Sequence, residues 1–358
     1  MTIVNENIIS IDGSYGEGGG SIVRFSMAFA VLLKKAIVIK NIRSKRKNPG
    51  LKTQHLVGIN LLHQIFGGTL QGAEIGSTSI HYYPDMDFKF KKKFYSVTIN
   101  TAASIGLIIQ SLQLILVKLN DEITIEMIGG GTYGLWAPSI DYIEHVTSKY
   151  LKFFGCNFEI KVDNHGFYPK GGSKIYLILK PGYSNVKNFL DFTKRDQNPS
   201  INGISIASNH LLRSNVADRA AKAAEKILSQ HGFDSNIEVK YVDSDSIGSG
   251  ITLWTNSQYP FGSSYVGQKG ISSEKIGEYV AMNFINDWNN GGVLDEYMTD
   301  QIIPFMVLYP SEIITGPLSK HSNTNIWISN QFLPTIFEIK NLQKSLFSIK
   351  TKLIKFIF

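Results

Sequence analysis

Three glycine clusters, each beside a strand-like run, constrain this chain more than any other feature. Ile8 to Asp12 reads as a strand. It feeds Gly13-Ser14-Tyr15-Gly16-Glu17-Gly18-Gly19-Gly20 and then an apolar helix over about Ser21 to Leu33. Ile37 to Ile42 is a β-branched strand, Pro49-Gly50 a turn, Thr53 to Phe66 a helix, and Thr69 to Tyr83 strand-like. The series then restarts. Ser96 to Asn100 reads as a strand, Ala102 to Leu119 as a helix and Glu122 to Ile128 as a strand. Gly129-Gly130-Gly131-Thr132 follows, then a helix over about Ser139 to Phe154. Tyr168-Pro169-Lys170-Gly171-Gly172-Ser173 precedes the strand Lys174 to Leu179. The pattern implies a mixed α/β (α+β) chain with a repeated unit of roughly 80 residues. That is too long for the common solenoid periods and suits a few large sheet-plus-helix units.

Residues 184–289 read differently. Asn202 to Ala207, Glu238 to Val242 and Gly250 to Thr255 are strands. Asn215 to Gln230 is an alanine-rich amphipathic helix, and Ser272-Ser273-Glu274 caps a helix ending at Trp288. Core character returns with Met306-Val307-Leu308 and a strand from Ile326 to Ser329. The simplest account is one large domain, 1–183 with 290–358, interrupted by a small α/β domain, 184–289, that exits through Asn289-Asn290-Gly291-Gly292. The length of 358 residues suits about two domains.

Composition excludes several alternatives. Charged residues are 18% and hydrophobic ones 43%, which rules out disorder and permits a large core. The single cysteine, Cys156, excludes a disulfide framework and a cysteine-based zinc site, and fits a reducing, cytoplasmic location. The N-terminus lacks a signal-peptide layout, and the most apolar stretch, Ala102 to Val117, is broken by Ser104, Gln110, Ser111 and Gln113. No membrane partner is expected. The net charge of +7 hints at a polyanion, but its distribution says more. Lys40, Arg43, Lys45, Arg46, Lys47 and Lys52 form one acid-free cluster, and Lys89, Lys91, Lys92 and Lys93 a second.

There is no Walker-type phosphate loop, zinc-protease motif, kinase signature or Rossmann fingerprint. Three constellations remain. Glycines before the first helix can close backbone N–H groups on an anion. Glu17 in that loop makes sense as a holder of a divalent metal, magnesium or manganese, bridging to phosphate. Arg43 and Arg46, followed by Pro49-Gly50 and then Gln54-His55 at a helix start, suit a phosphodiester chain end. His321 lies among basic, hydroxyl and amide side chains, in Ser319-Lys320-His321-Ser322-Asn323-Thr324-Asn325.

IDGSYGEGGGSIVR, IRSKRKNPGLKTQH, GGGT, YPKGGS, YMTDQ and SKHSNTNI occur in this order, and together they resemble RNA 3′-terminal phosphate cyclases. The resemblance spans nearly the whole chain, and its spacing is closest to the archaeal and bacterial enzymes. It implies a large domain of repeated units like those of enolpyruvyl transferases, with a smaller domain inserted. It also implies an ATP-dependent ligase that turns an RNA 3′-phosphate into a 2′,3′-cyclic phosphodiester through a histidyl-AMP and an RNA-adenylate. By that resemblance His321 is the nucleophile, and Glu17 is the acid at the metal–triphosphate site. Arg24, Gln110, Pro138, Tyr297, Asp300 and Gln301 belong to the nucleotide site, with Tyr297 stacking on adenine and Asp300 orienting His321 or the nucleotide. Arg43, Arg46, Gln54 and His55 belong to the RNA phosphate site. Ser322-Asn323 after the histidine are more polar than the family usually has there.

Three other readings compete, of which an enolpyruvyl transferase rests on shared fold alone, and fold is poor evidence for function. A eukaryotic branch of the family acts in ribosomal RNA processing without cyclase chemistry, but it lacks the histidine that His321 supplies here. A non-catalytic RNA-binding factor would not need Glu17, Arg24, Asp300 and His321 together. The oligomeric state stays open at this level, a homodimer included.

Overall fold

The computed structural model describes residues 8–88, 92–182 and 186–353. Lys89 and Lys91 of the second basic cluster, and the last five residues of the chain, lie outside them. The first unit runs β1 (Ile9–Asp12), α1 (Gly20–Leu33), β2 (Ile37–Lys40), α2 (Thr53–Phe66), β3 (Thr69–Gln71) and β4 (Ile80–Tyr83). Its sheet is ordered β1-β2-β4-β3; β1 and β2 are parallel and the other pairs antiparallel. A parallel pair needs a crossover, and α1 supplies it.

The second unit repeats this plan. It contains β5 (Phe94–Ser104), α3 (Ile105–Gln113), β6 (Ile123–Gly131), α4 (Ile140–Tyr142), a π turn (Ile143–Thr147), α5 (Ser148–Phe153), β7 (Asn157–Asn164) and β8 (Lys174–Lys180). The sheet order is β5-β6-β8-β7, again with one parallel pair followed by two antiparallel ones.

The third unit opens with β9 (Leu190–Phe192) and is then interrupted by β10 (Ile201–Ser208), α6 (Val216–Gln230), β11 (Ser235–Val242), β12 (Ser249–Thr255), β13 (Gly262–Val266) and α7 (Ser273–Asn289). It resumes with α8 (Glu296–Met306), β14 (Ser311–Thr315), α9 (Lys320–Phe332), β15 (Thr335–Gln343) and β16 (Leu346–Leu353). Its sheet, β9-β14-β16-β15, has the same parallel and antiparallel sequence of pairs. The interrupting segment makes its own sheet, β11-β10-β12-β13, and its own core around Ile251, Phe261, Phe284 and Trp288. Arg195 closes the neck of that segment. Its guanidinium lies 3.8 Å from the Trp288 ring centre and donates to the carbonyls of Trp288 (2.8 Å) and Gly292 (2.9 Å). β9 lies inside the stretch 184–289 yet pairs with β14.

Two readings of local structure are corrected. Ile326 to Ser329 is not a strand but part of α9. β-branched and aromatic residues suggested a strand, but the Ser319 hydroxyl accepts the Ser322 N–H at 3.0 Å and starts a helix. The buried residues Ser322, Asn325, Ile328, Ser329 and Phe332 then recur at helical spacing. The helix expected from Ala102 starts later, because β5 continues to Ser104, whose hydroxyl caps α3. The helix expected over Ser139 to Phe154 exists but widens into the π turn at its centre.

What matters for the site is how the first and third units meet. α1 is buried nearly all round, as a core helix must be. Its Phe29 stacks on Phe332 of α9, ring centres 5.1 Å apart. Burying such a ring contributes roughly 1.5–3 kcal/mol. The N-terminal ends of α1 and α9 therefore open onto a common space.

Candidate active site

The glycine loop between β1 and α1 forms one wall. Asp12 anchors its start, accepting from the Ser14 N–H and hydroxyl and from Asn41. Tyr15 stacks on Trp327 of α9, with centroids 3.9 Å apart and planes 8° apart. Gly16 has φ +56°, and a Cβ there would sit 2.7 Å from the Thr324 hydroxyl. Only glycine combines that conformation with that approach. The loop is thus pressed against α9, and Glu17 meets the first turn of that helix.

Glu17 and His321 are the contact. The Nδ1 of His321 lies against Oε1 of Glu17, and Oε2 of Glu17 is 2.9 Å from Arg46 Nη2. Burial pushes the Glu17 carboxyl up, but His321 and Arg46 outweigh it and leave it below the usual range. The Glu17 hydrogen bond lifts His321 above the usual imidazole range, against burial. When the ring is neutral, a carboxylate beside Nδ1 favours the proton there and leaves the lone pair on Nε2. The side chain is 50% exposed, so Nε2 can be approached.

The other wall is cationic. Gly19 precedes α1 and no side chain caps the helix, so its first N–H groups have no side-chain partner. A Cβ on Gly20 would fall 2.2 Å from His55 Nε2 and 2.9 Å from Arg24 Nη1, which marks a cradle at the helix start. Arg24 is buried and donates through Nε to Gln110 Oε1 at 2.8 Å. Burial lowers its pKa to about 10 while Glu17 opposes the fall, so it stays charged at neutral pH. His55 accepts the Lys52 N–H on Nδ1 at 3.1 Å, which leaves the ring proton on Nε2, facing Gly20. Burial, then Arg24, Arg43 and Lys52, push it down to about 3, so it is neutral. Arg43 holds φ +56°, and its buried Nε has no hydrogen-bond partner among the described residues. Burial and the charge of Arg46 both lower it. Helix N–H groups, a neutral N–H donor and three guanidinium groups are chemistry suited to an anion.

Other residues singled out from the sequence sit further back. Asp300 does not bond His321. Its Oδ1 accepts from the hydroxyls of Ser319 and Ser322, both at 2.6 Å, and so it fixes the start of α9. Burial raises Asp300 to about 6 despite those bonds. Tyr297, one turn earlier on α8, is 55% exposed and meets Tyr142 edge-on at 6.4 Å. Gln301 is buried, between the Thr147 hydroxyl and the Tyr297 carbonyl. Gln54 is half-buried in the first turn of α2. The Pro138 carbonyl packs on Gly106 at the start of α3, beside Trp136, which is 95% exposed at φ +59°. Sequence reasoning missed Tyr15, Trp327 and Thr324. The aromatic in the glycine run and the helical phase of 320–332 were the available signals.

Among the described residues, the carboxylate in contact with both His321 and Arg46 is that of Glu17. As a donor it fits a divalent ion held mainly by phosphate oxygens and water, as magnesium usually is, and not a protein cage.

Comparison with known proteins adds an independent line. The family model for RNA 3′-terminal phosphate cyclase matches residues 15–339. A protein of that name from Methanosarcina barkeri is 38% identical, over 96% of this chain and 99% of its own length. Its namesake from Methanococcoides burtonii is 37% identical, over 93% and 97%. One from Pyrococcus furiosus is 35% identical, over 93% and 95%.

Proposed function

The chain belongs to the RNA 3′-terminal phosphate cyclase family, and on that premise we propose that it uses ATP to close RNA 3′-phosphate ends through an adenylylated His321. The observation that carries this is the pairing of His321 Nδ1 with Glu17, which leaves Nε2 free and accessible beside the cationic cradle.

The chemistry follows in three displacements. The Nε2 lone pair attacks the ATP α-phosphorus, and pyrophosphate leaves with the bonding electrons. Glu17 holds the Nδ1 proton as positive charge develops on the ring. An oxygen of the RNA 3′-phosphate then takes the AMP and frees the imidazole. Finally the 2′-OH attacks the activated phosphorus, loses its proton, and AMP departs. Arg24, Arg43, Arg46 and the α1 N–H groups neutralise the phosphates gathered for these steps. A divalent ion bound to the triphosphate would add charge neutralisation, with Glu17 as its protein ligand. We assign the exposed ring of Tyr297 to stacking on the base. We assign Asp300 to orienting the helix that carries His321. The inserted unit, for which β10 to α7 is the natural extent, is assigned no catalytic role.

The chain has the residues that a purely structural RNA-processing relative would not need. Among the described residues no helix is long and apolar enough to cross a membrane. The test is incubation with ATP carrying a radioactive α-phosphate and magnesium or manganese. Protein label that is released by acid, resists alkali and chases into cyclised RNA is expected. No label with either ion would overturn the mechanism.

A further inference from the structure

Away from the cradle, the second unit carries metal-type donors that the reaction leaves unused. Asp141, Glu144 and His145 share one face of the helix that starts after Ser139, at positions i, i+3 and i+4. One ligand atom from each lies within 4.8 Å of the others. Glu144 and His145 lie in the π turn, a widening that frequently marks functional sites.

The donors are held ready. Asp141 is buried, and its Oδ2 accepts the Tyr133 hydroxyl, which fixes the carboxylate and leaves Oδ1. Tyr133 is 3.3 Å from the Thr252 hydroxyl, and Thr252 is 2.8 Å from Ser139. The His145 ring lies flat on Trp254, with centroids 4.0 Å apart and planes 4° apart. Glu144 is exposed, so an ion can enter. Lys149 and Lys240 act on these groups only at a distance, and neither forms an ion pair with Asp141 or Glu144. Outer hydrogen bonds that orient ligands are what a working metal site needs.

We propose that Asp141, Glu144 and His145 bind one divalent first-row transition ion, at a site separate from the phosphate cradle. One imidazole with two carboxylates suits zinc, cobalt or manganese better than magnesium. Trp254 and Thr252 belong to β12, so the ion sits on the seam between the second unit and the inserted one. Its effect is to pin that seam.

The test uses the full chain carrying Glu17→Gln, which silences the acid of the cradle, titrated with cobalt(II). We expect one equivalent bound, with quenching of indole fluorescence that Trp254→Phe removes; the chain has four tryptophans. Adding Glu144→Gln and His145→Gln should abolish both signals. Tyr133→Phe should weaken binding by about tenfold, as loss of an outer hydrogen bond does. No binding in the Glu17→Gln chain, or binding unchanged by the double substitution, would overturn the site. Quenching that survives Trp254→Phe would do the same.

Discussion

Two helix starts face the same cradle, and each carries a histidine in its first turn, yet the two rings are driven in opposite directions. At the start of α2, His55 is buried, spends Nδ1 on its own backbone and lies among cations. It is held neutral, with a proton fixed on Nε2. At the start of α9, His321 is half exposed and leans on a carboxylate. It is held more basic, with its lone pair on Nε2. On the proposed mechanism one ring donates to whatever sits in the cradle, and the other attacks it. Residue type did not set these roles; burial and the sign of the nearest charge did.

The largest effect should come from removing the attacker. His321→Ala is expected to cut self-adenylylation by at least about a thousandfold, with little change in thermal unfolding. Undiminished label would erase the distinction between the rings. His55→Ala should behave otherwise. It leaves a cavity and an orphaned Lys52 N–H, so it should lower unfolding free energy by about 2 kcal/mol and weaken labelling only in part. Equal loss of label with unchanged stability would make His55 a second reacting group.

The next test concerns pH. A protonated imidazole has no lone pair to offer, so labelling should rise with pH through the raised pKa of His321. Glu17→Gln removes the group that raises it. The midpoint should then move down toward the ordinary value of 6.5, while the plateau falls as well. An unmoved midpoint would show that Glu17 does not govern the ring. His55, at about 3, contributes nothing to that profile at neutral pH.

The smallest effect is the most diagnostic of the cradle's two ligands. Arg43→Ala should spare labelling and lower cyclisation about tenfold, because its free Nε is assigned to the RNA end. Equal loss of both would assign Arg43 to ATP.

The repeated unit was legible from glycines beside strands, since a strand that must turn sharply into a helix needs them. The loop Gly16 to Gly20 and the pair Arg43 and Arg46 were legible for the same local reason. Asp300 was visible only through the family resemblance, as the acid of YMTDQ, and its use of Ser319 and Ser322 as intermediaries depends on α9 being a helix. The run Ile326-Trp327-Ile328 hid that helix, because short apolar stretches look alike in either state. The Glu17–His321 contact was beyond sequence altogether. It exists only because Phe29, Phe332, Tyr15 and Trp327 bring distant units together.

That last arrangement has a consequence for synthesis. β9 emerges from the ribosome early, but its sheet partner β14 follows only after the whole inserted unit, and β16, an inner strand of that sheet, comes later still. The first two units can pack as they appear, whereas the helix bearing His321 has no finished sheet until β16 arrives. A polypeptide broken off before that point would carry the phosphate cradle without a nucleophile fixed against it. On the proposed mechanism, competence is therefore acquired only once β16 has been made, and products interrupted before it would be unable to consume ATP by this route.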